Sequence, residues 1–409
     1  MEFDSKHNQE KSGSFDPDAL RTKYSEERDK RVRPEGNNQY QEVKGEFSYF
    51  VEDPYIENEI KRDPLRDEVE VVIVGGGFGG MLAGARLREA GVNDFRIIEK
   101  AGDFGGTWYW NRYPGASCDI ESYIYFPLLE ELSFIPQEKY TNAPETLEYC
   151  QLIAKKYKLH ERSCMQTEVI SVEWDESIGR WIICTNRKDR IKARFIVNSN
   201  GPLNRPKLPD INGINDYKGH TFHTSRWDYN YTGGSSAGNL TKLKDKKVAV
   251  IGTGATAVQC VPHLGESAQH LYVFQRTPSS IDVRNNTKTD PEWASSLESG
   301  WHAKRRNNFE SLLAGVYQKE DLVNDGWTDL FRIFFGAFRK IRPSNYKMAT
   351  WAVSSIFSSD LYRLGFEGYM RNKFMNFVGH DNLMKEMEMA DFEKMEKIRA
   401  RADAVIEDP

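Results

Sequence analysis

Residues 69–99 limit the possible folds more than any other stretch. VEVVIV is a short apolar run rich in valine, GGGFGG follows it, MLAGARLREAG carries apolar residues at helical spacing, and FRIIEK is a second strand. The spacing G-x-G-x-x-G is met by Gly75, Gly77 and Gly80, with Gly79 beside the last. Glu99 closes the second strand about 20 residues on, where a ribose-binding acid belongs. Strand, glycine turn, helix, strand and acid in this order form the dinucleotide-binding fingerprint in its required context. Gly75 makes the tight turn, Gly77 lets a pyrophosphate reach the helix N-terminus, and Gly80 lets helix and strand pack closely. A carboxylate at Glu99 accepts from ribose hydroxyls and disfavours a 2′-phosphate.

A second unit of the same design begins at Lys246. KKVAVIG reads as a strand, AVQCVPHL as a helix and HLYVFQRTP as the next strand. The turn supplies Gly252, Thr253, Gly254, Ala255, Thr256, Ala257 and Val258 as nucleotide-binding positions, with Ala257 replacing the third glycine by an allowed small residue. Arg276 stands where Glu99 stood in the first unit. A guanidinium fork pairs with a phosphate dianion, so this site is expected to prefer NADPH to NADH, with Thr277 as a further donor.

Residues 105–125, GGTWYWNRYPGASCDIESYIY, are written like neither a core helix nor a strand. A glycine pair permits close approach of a ligand, Trp108, Tyr109 and Trp110 offer flat walls, and Cys118-Asp119 sets a carboxylate just past the Pro114-Gly115 turn. The pattern fits a pocket lining, and equally an aromatic loop that only packs. PETLEYCQLIAKKYKL then reads as a helix, and residues 167–202 as three alternating strands with turns at Ile178-Gly179 and near Lys188-Asp189. Val169, at the head of the first of these, is counted among the cofactor-binding positions.

A chain of 409 residues has room for about two to three domains. With 29% charged residues and a formal charge of -5 it shows no basic face for nucleic acid. Five cysteines, at 118, 150, 164, 184 and 260, form no C-x-x-C pair, against a disulfide framework, a zinc site or a dithiol redox motif. No apolar signal core or membrane-length window appears, so a soluble, cytoplasmic protein is expected, and the sequons at Asn230, Asn239 and Asn285 read as chance matches. Residues 1–40 are charged and nearly free of aliphatic residues, a composition expected to stay disordered. Residues 49–65 regain aromatics and read as an arm on the first domain.

The expected architecture is α/β, with two Rossmann-like dinucleotide-binding domains and a helical insertion. Its parts are a tail and arm start at 1–45, an FAD-binding domain at 46–205, a linker at 206–245, an NADPH-binding unit at 246–290 and a helical region at 291–409. That last region, aromatic and basic, reads as packing on the nucleotide domain, as a lid, or as a membrane-surface helix. One site written for an unphosphorylated ribose and one for a 2′-phosphate imply electron transfer from NADPH to bound FAD. Without a dithiol, molecular oxygen becomes the expected acceptor.

Between the two units, Tyr217-Lys-Gly219-His-Thr-Phe-His223-Thr-Ser-Arg-Trp227-Asp228 resembles the fingerprint F-x-G-x-x-x-H-x-x-x-W-[PD] of type I Baeyer-Villiger monooxygenases, with Tyr217 replacing the first Phe. GGTWYWNRYPGASCDIES is similar to the same family's stretch after the FAD acid. The resemblance runs from about residue 69 to 290. It implies that NADPH reduces FAD, that one oxygen atom of O2 enters beside the carbonyl of a small-molecule ketone, and that an ester or lactone results, in secondary metabolism by analogy. It further implies that Asp119 orients a catalytic arginine, that Thr107, Trp108, Tyr109, Trp110, Ile120 and Tyr125 contact FAD with Ser117 and Cys118 beside them, and that His223 and Trp227 couple the two domains. In the resembling enzymes the arginine lies in a segment after the helical insertion, and no arginine at 291–409 matches it. The expectation is therefore either a fragment or truncated product, or a chain that cannot complete the reaction alone. Two other classes stay open: an N- or S-hydroxylating flavin monooxygenase, and a nucleotide-binding chain without activity.

Overall fold

The computed structural model describes residues 40–275, 284–316 and 318–328, together with Ala19, Thr22, Lys23, Ser25, Glu26 and Asp29. Those six isolated positions stand in helical backbone. The rest of residues 1–39, where the tail is expected, lies outside the described residues.

Ten strands are described: β1 (Tyr40–Glu42), β2 (Glu68–Val74), β3 (Phe95–Ile98), β4 (Ser163–Cys164), β5 (Val169–Asp175), β6 (Arg180–Thr185), β7 (Arg190–Asn198), β8 (Lys207–Pro209), β9 (Lys247–Ile251) and β10 (His270–Phe274). The main sheet has the order β4-β3-β2-β7-β6-β5. Strands β4, β3, β2 and β7 run parallel, while β5, β6 and β7 form the antiparallel meander. Parallel neighbours need a crossover; helix α1 (Phe78–Glu89) supplies it between β2 and β3. The meander turns at Gly179 and Lys188, both with positive φ.

Helix α2 (Ala143–Lys156) starts where the Asn142 side chain accepts from the Glu145 amide at 3.0 Å, with proline in its first turn. Helix α3 (Ala255–Ser267) joins the parallel pair β9–β10, and helix α4 (Trp301–Leu313) follows. Residues 329–409, most of the expected helical region, lie outside the described residues. Strand β1, assigned to the tail, instead pairs antiparallel with β8 in the linker, and Phe47 and Phe50 bury against Leu208 beside it. The arm therefore fastens to the linker as well as to the first domain. No helix among the described residues is long and apolar enough to cross a membrane.

Central strand β2 is buried on both faces, as its continuous apolar run requires. Ile73 joins a core with Met81, Ala85, Phe95 and Tyr149, while Val72 joins Ile98, Ile183 and Ile191 on the opposite face. The first core continues without a break into Trp227, Leu240, Cys260 and Leu264. Both nucleotide units thus share one apolar interior.

Candidate cofactor-binding site

A cleft of about 400 Å³ opens at the carboxyl ends of β2, β3 and β7. The crevice past the strand ends of an open α/β sheet is where such folds bind ligands. Gly75 leaves β2 at φ +105°, and a Cβ there would lie 2.4 Å from the Ser199 carbonyl oxygen. At Gly80 a Cβ would come within 1.9 Å of the Gly75 oxygen, so this glycine serves helix–strand contact and stays outside the cleft lining. Gly77 and Gly79 line the cleft at the start of α1.

Glu99 lines the opposite wall, 6% exposed. Its Oε2 accepts from the Gly76 amide at 2.5 Å and its Oε1 from the Ala101 amide at 2.7 Å. Burial pushes this carboxyl up, against those two amide donors. Each oxygen keeps a lone pair for a ribose hydroxyl.

The aromatic run forms one helical turn, Thr107–Trp110. Gly106 before it packs on the first turn of the nucleotide loop, where a Cβ would meet the Gly77 Cα at 2.6 Å. Successive residues of a helix point about 100° apart, so the run divides. Thr107, Trp108 and Trp110 line the cleft, as does Tyr125, whose hydroxyl accepts from Trp108 Nε1 at 3.2 Å. Tyr109, expected against the cofactor, instead faces away: its hydroxyl donates to Asp53 at 2.8 Å, and Tyr55 meets it edge-on. Val169 lines the cleft from the sheet side.

The structure places Ser117, Cys118, Asp119 and Ile120 outside the cleft lining, because the Pro114-Gly115 turn carries the chain toward α3. Ser117 accepts from Gln259 Nε2 of α3 at 3.2 Å through its carbonyl, and Tyr113 donates to Gln259 Oε1 at 2.8 Å. Cys118 is buried in the core, its thiol pushed up to about 12 by burial. Ile120 packs on the same core. Asp119 is exposed, and its carbonyl oxygen accepts from Arg284 Nη1 and, at 3.0 Å, from Trp327 Nε1. The arginine brought to Asp119 therefore meets its main chain.

Two features here escaped the sequence. Glu121, fully buried, receives a forked pair from Arg305 of α4 at 2.7 and 2.5 Å. Arg226, inside the linker fingerprint, is buried with its guanidinium 3.7 Å from the Trp110 ring centroid. Pairing a carboxylate with an arginine 184 positions on leaves no local pattern. The only signal for either was a charged residue embedded among aromatics.

In the second unit Gly252 turns at φ +108°, and a Cβ on Gly252 or Gly254 would meet nothing within 4 Å. Packing therefore does not demand glycine at 254, and its open surroundings leave room for a ligand against the backbone. Ala255 is exposed, Thr253 and Thr256 are partly so, Val258 is 36% exposed, and Ala257 is buried at the helix–strand contact. Arg276 and Thr277 lie outside the described residues. In the fingerprint, Tyr217 is 62% exposed, while Trp227 is 2% exposed and donates from its amide to the Tyr55 hydroxyl at 3.2 Å. His223 accepts from the Ser225 amide through Nδ1, and burial lowers its pKa to about 4, the charge of Arg226 adding to the effect.

Residues 72–310 match the family model described as pyridine nucleotide-disulphide oxidoreductase. Neopentalenolactone D synthase of Streptomyces avermitilis is 48% identical over 394 residues, covering 96% of this chain and 61% of that protein. Baeyer-Villiger monooxygenase ATR8 of Stachybotrys chlorohalonatus is 47% identical over 396 residues, covering 97% of this chain and 58% of its own. Among solved structures, the polycyclic ketone monooxygenase of Thermothelomyces thermophila superposes with a TM-score of 0.76 at 35% identity, covering 96% of this chain and 62% of that one. The chain thus spans about 60% of the length of the curated relatives it matches. All five cysteines are free, so the disulphide of the family description has no dithiol counterpart here. The chain belongs to the pyridine nucleotide-disulphide oxidoreductase family, among relatives that are Baeyer-Villiger monooxygenases.

Proposed function

We propose that this chain is an FAD- and NADPH-dependent Baeyer-Villiger-type monooxygenase, adding one oxygen atom of O2 beside a ketone carbonyl while the other leaves as water. The observation that carries the reading is the cleft joining the glycine turn, Glu99 and the tryptophan walls, set on one core with a second glycine turn open to solvent. The residues fit an FAD. Amides at the start of α1 face a pyrophosphate, Glu99 accepts from a ribose, and Trp108 and Trp110 offer apolar surface for the ring system. The turn at 252–258 would hold NADPH, with Arg276 and Thr277 at its 2′-phosphate.

Bound FAD would supply the redox chemistry, passing electrons from NADPH to oxygen. The polypeptide binds and orients. Glu99 fixes the adenosine end, the indoles exclude water, and the seam between residues 113–119 and α3 holds the two nucleotide sites at a set separation. Asp119 is assigned to orienting an arginine at the site, a role its exposed carboxylate leaves open. Secondary metabolism is the expected setting, by the likeness to neopentalenolactone D synthase.

Titration of the purified chain with FAD, followed by gel filtration, tests the reading: flavin absorbance is expected to travel with the protein. NADPH oxidation on adding a ketone, with the ester found by mass spectrometry, tests turnover. Protein that carries no flavin refutes the cofactor assignment, and flavin without ester formation reduces the function to binding. A thioether or an amine oxidised in place of a ketone would move the chain to the S- or N-hydroxylating class.

A further inference from the structure

Arg226 is 5% exposed, yet its donors reach main-chain carbonyls rather than a carboxylate: Glu52 at 3.1 Å, Ser225 at 2.8 Å and Asn204 at 3.3 Å. Those acceptors lie on three separate segments, the N-terminal arm, the loop after β7 and the linker. Its guanidinium carbon is 3.7 Å from the Trp110 ring centroid, and Lys100, which donates to Asn204 Oδ1 at 3.0 Å, approaches the same ring at 5.4 Å. Trp110, Asn204 and Lys100 all line the first cleft. The next residue, Trp227, is buried in the shared core. Beyond it Asp228 caps the turn Tyr229–Thr232, and Tyr229 donates to the Arg112 carbonyl at 2.5 Å. Beside the buried Trp227 and the Tyr229 bond, the Arg226 guanidinium is therefore the contact that joins the linker leading to β9 to a cleft-lining indole.

We infer that Arg226 is a positioning residue that couples Trp110 in the first cleft to the linker carrying the second nucleotide unit, so that occupancy of the cleft and placement of the linker are set together. A desolvated cation over an indole is bound to that ring's face. A ligand that seats Trp110 thereby also seats the guanidinium and the three carbonyls it holds. The identity of that ligand as FAD rests on the function proposed above; the coupling of Arg226 to Trp110 does not.

Amide hydrogen exchange of the full chain tests both parts separately. Without cofactor, Arg226→Gln and Trp110→Leu are each expected to speed exchange in peptides covering 223–232 and 106–112 by about tenfold, and the double variant no further than either single one. Arg226→Lys keeps a cation over the ring and is expected to recover most of the protection at 106–112. On adding FAD, wild-type protein gains protection in both peptides, whereas Arg226→Gln gains it at 106–112 alone. Additive effects of the two substitutions overturn the coupling, as does equal FAD protection of 223–232 in Arg226→Gln and wild type. A purely structural role would speed exchange in α2 as well. Should Arg226→Gln not fold, Arg226→Met, which keeps an apolar stem against the ring and removes the cation, takes its place in the cycle with Trp110→Leu. If FAD does not bind, the cofactor reading fails, and the cofactor-free cycle still decides the coupling.

Discussion

Replacing Arg305 by leucine strips Glu121 of its forked partner while leaving the carboxylate in place. The pair is desolvated, with the Arg305 side chain 15% and the Glu121 side chain 1% exposed. Among the described residues the cation left near it is Lys139, whose Nζ is 4.0 Å from Oε1. Arg305 also lies 5.6 and 5.4 Å from the Tyr123 and Trp293 ring centroids, so aromatic contact is lost together with charge. Breaking a buried pair from one side costs about 3–5 kcal/mol. Burial already raises the Glu121 pKa, and Arg305 is the first group opposing it. Without Arg305 the folded-state pKa climbs further above the unfolded value. A raised carboxyl contributes stability that is complete below its unfolded pKa and is lost as pH rises through the folded one. The cost of Arg305→Leu should accordingly be about 3–5 kcal/mol at pH 7.5 and smaller near pH 5. Glu121→Gln combined with Arg305→Leu should cost less than the sum of the single changes. Urea unfolding at both pH values, on the wild type, the two single variants and the double one, measures this cycle. A single-variant loss below about 1 kcal/mol, or one equal at both pH values, would refute a desolvated pair, since those are the marks of an exposed one.

Further outcomes follow from the same geometry. His223 is held neutral in the fold, with a pKa of about 4 against 6.5; a depressed pKa gives stability that is present above the unfolded value and is lost as pH falls toward the folded one. Between pH 6.5 and 4 wild type should lose about 3 kcal/mol relative to His223→Gln, at roughly 1.4 kcal/mol per pKa unit; parallel acid titrations in urea would sink this. Gly80→Ala forces a methyl to 1.9 Å from the Gly75 oxygen and should cost about 3 kcal/mol or more. Gly254→Ala meets open space, so it should shift stability by less than about 0.5 kcal/mol while weakening NADPH binding in a calorimetric titration. Arg276→Ala should weaken NADPH binding and spare NADH; equal loss of both would remove the phosphate assignment.

Much of the first unit was legible because its determinants are local. The glycine turn, the apolar run of β2 and the acid at the end of β3 each follow from backbone sterics or periodicity over a few residues, and the cleft forms where they meet. The aromatic run was legible only in part. Composition marks Trp108, Tyr109 and Trp110 alike, but a single helical turn sends Tyr109 to Asp53 and its neighbours to the cleft. Helical phase is set by what the turn packs on, here Gly77 beneath Gly106.

The sequence by itself determined two dinucleotide-binding units, their order and the ribose chemistry expected of each, since a turn and a charge at fixed spacing need no distant partner. Tertiary structure alone decided that the units share a core, that residues 117–120 lie outside the cleft lining, and that Arg305 reaches Glu121 and Arg226 reaches Trp110. Those contacts join segments more than a hundred positions apart. Their geometry depends on burial and ring placement, which exist only once the chain has closed on itself.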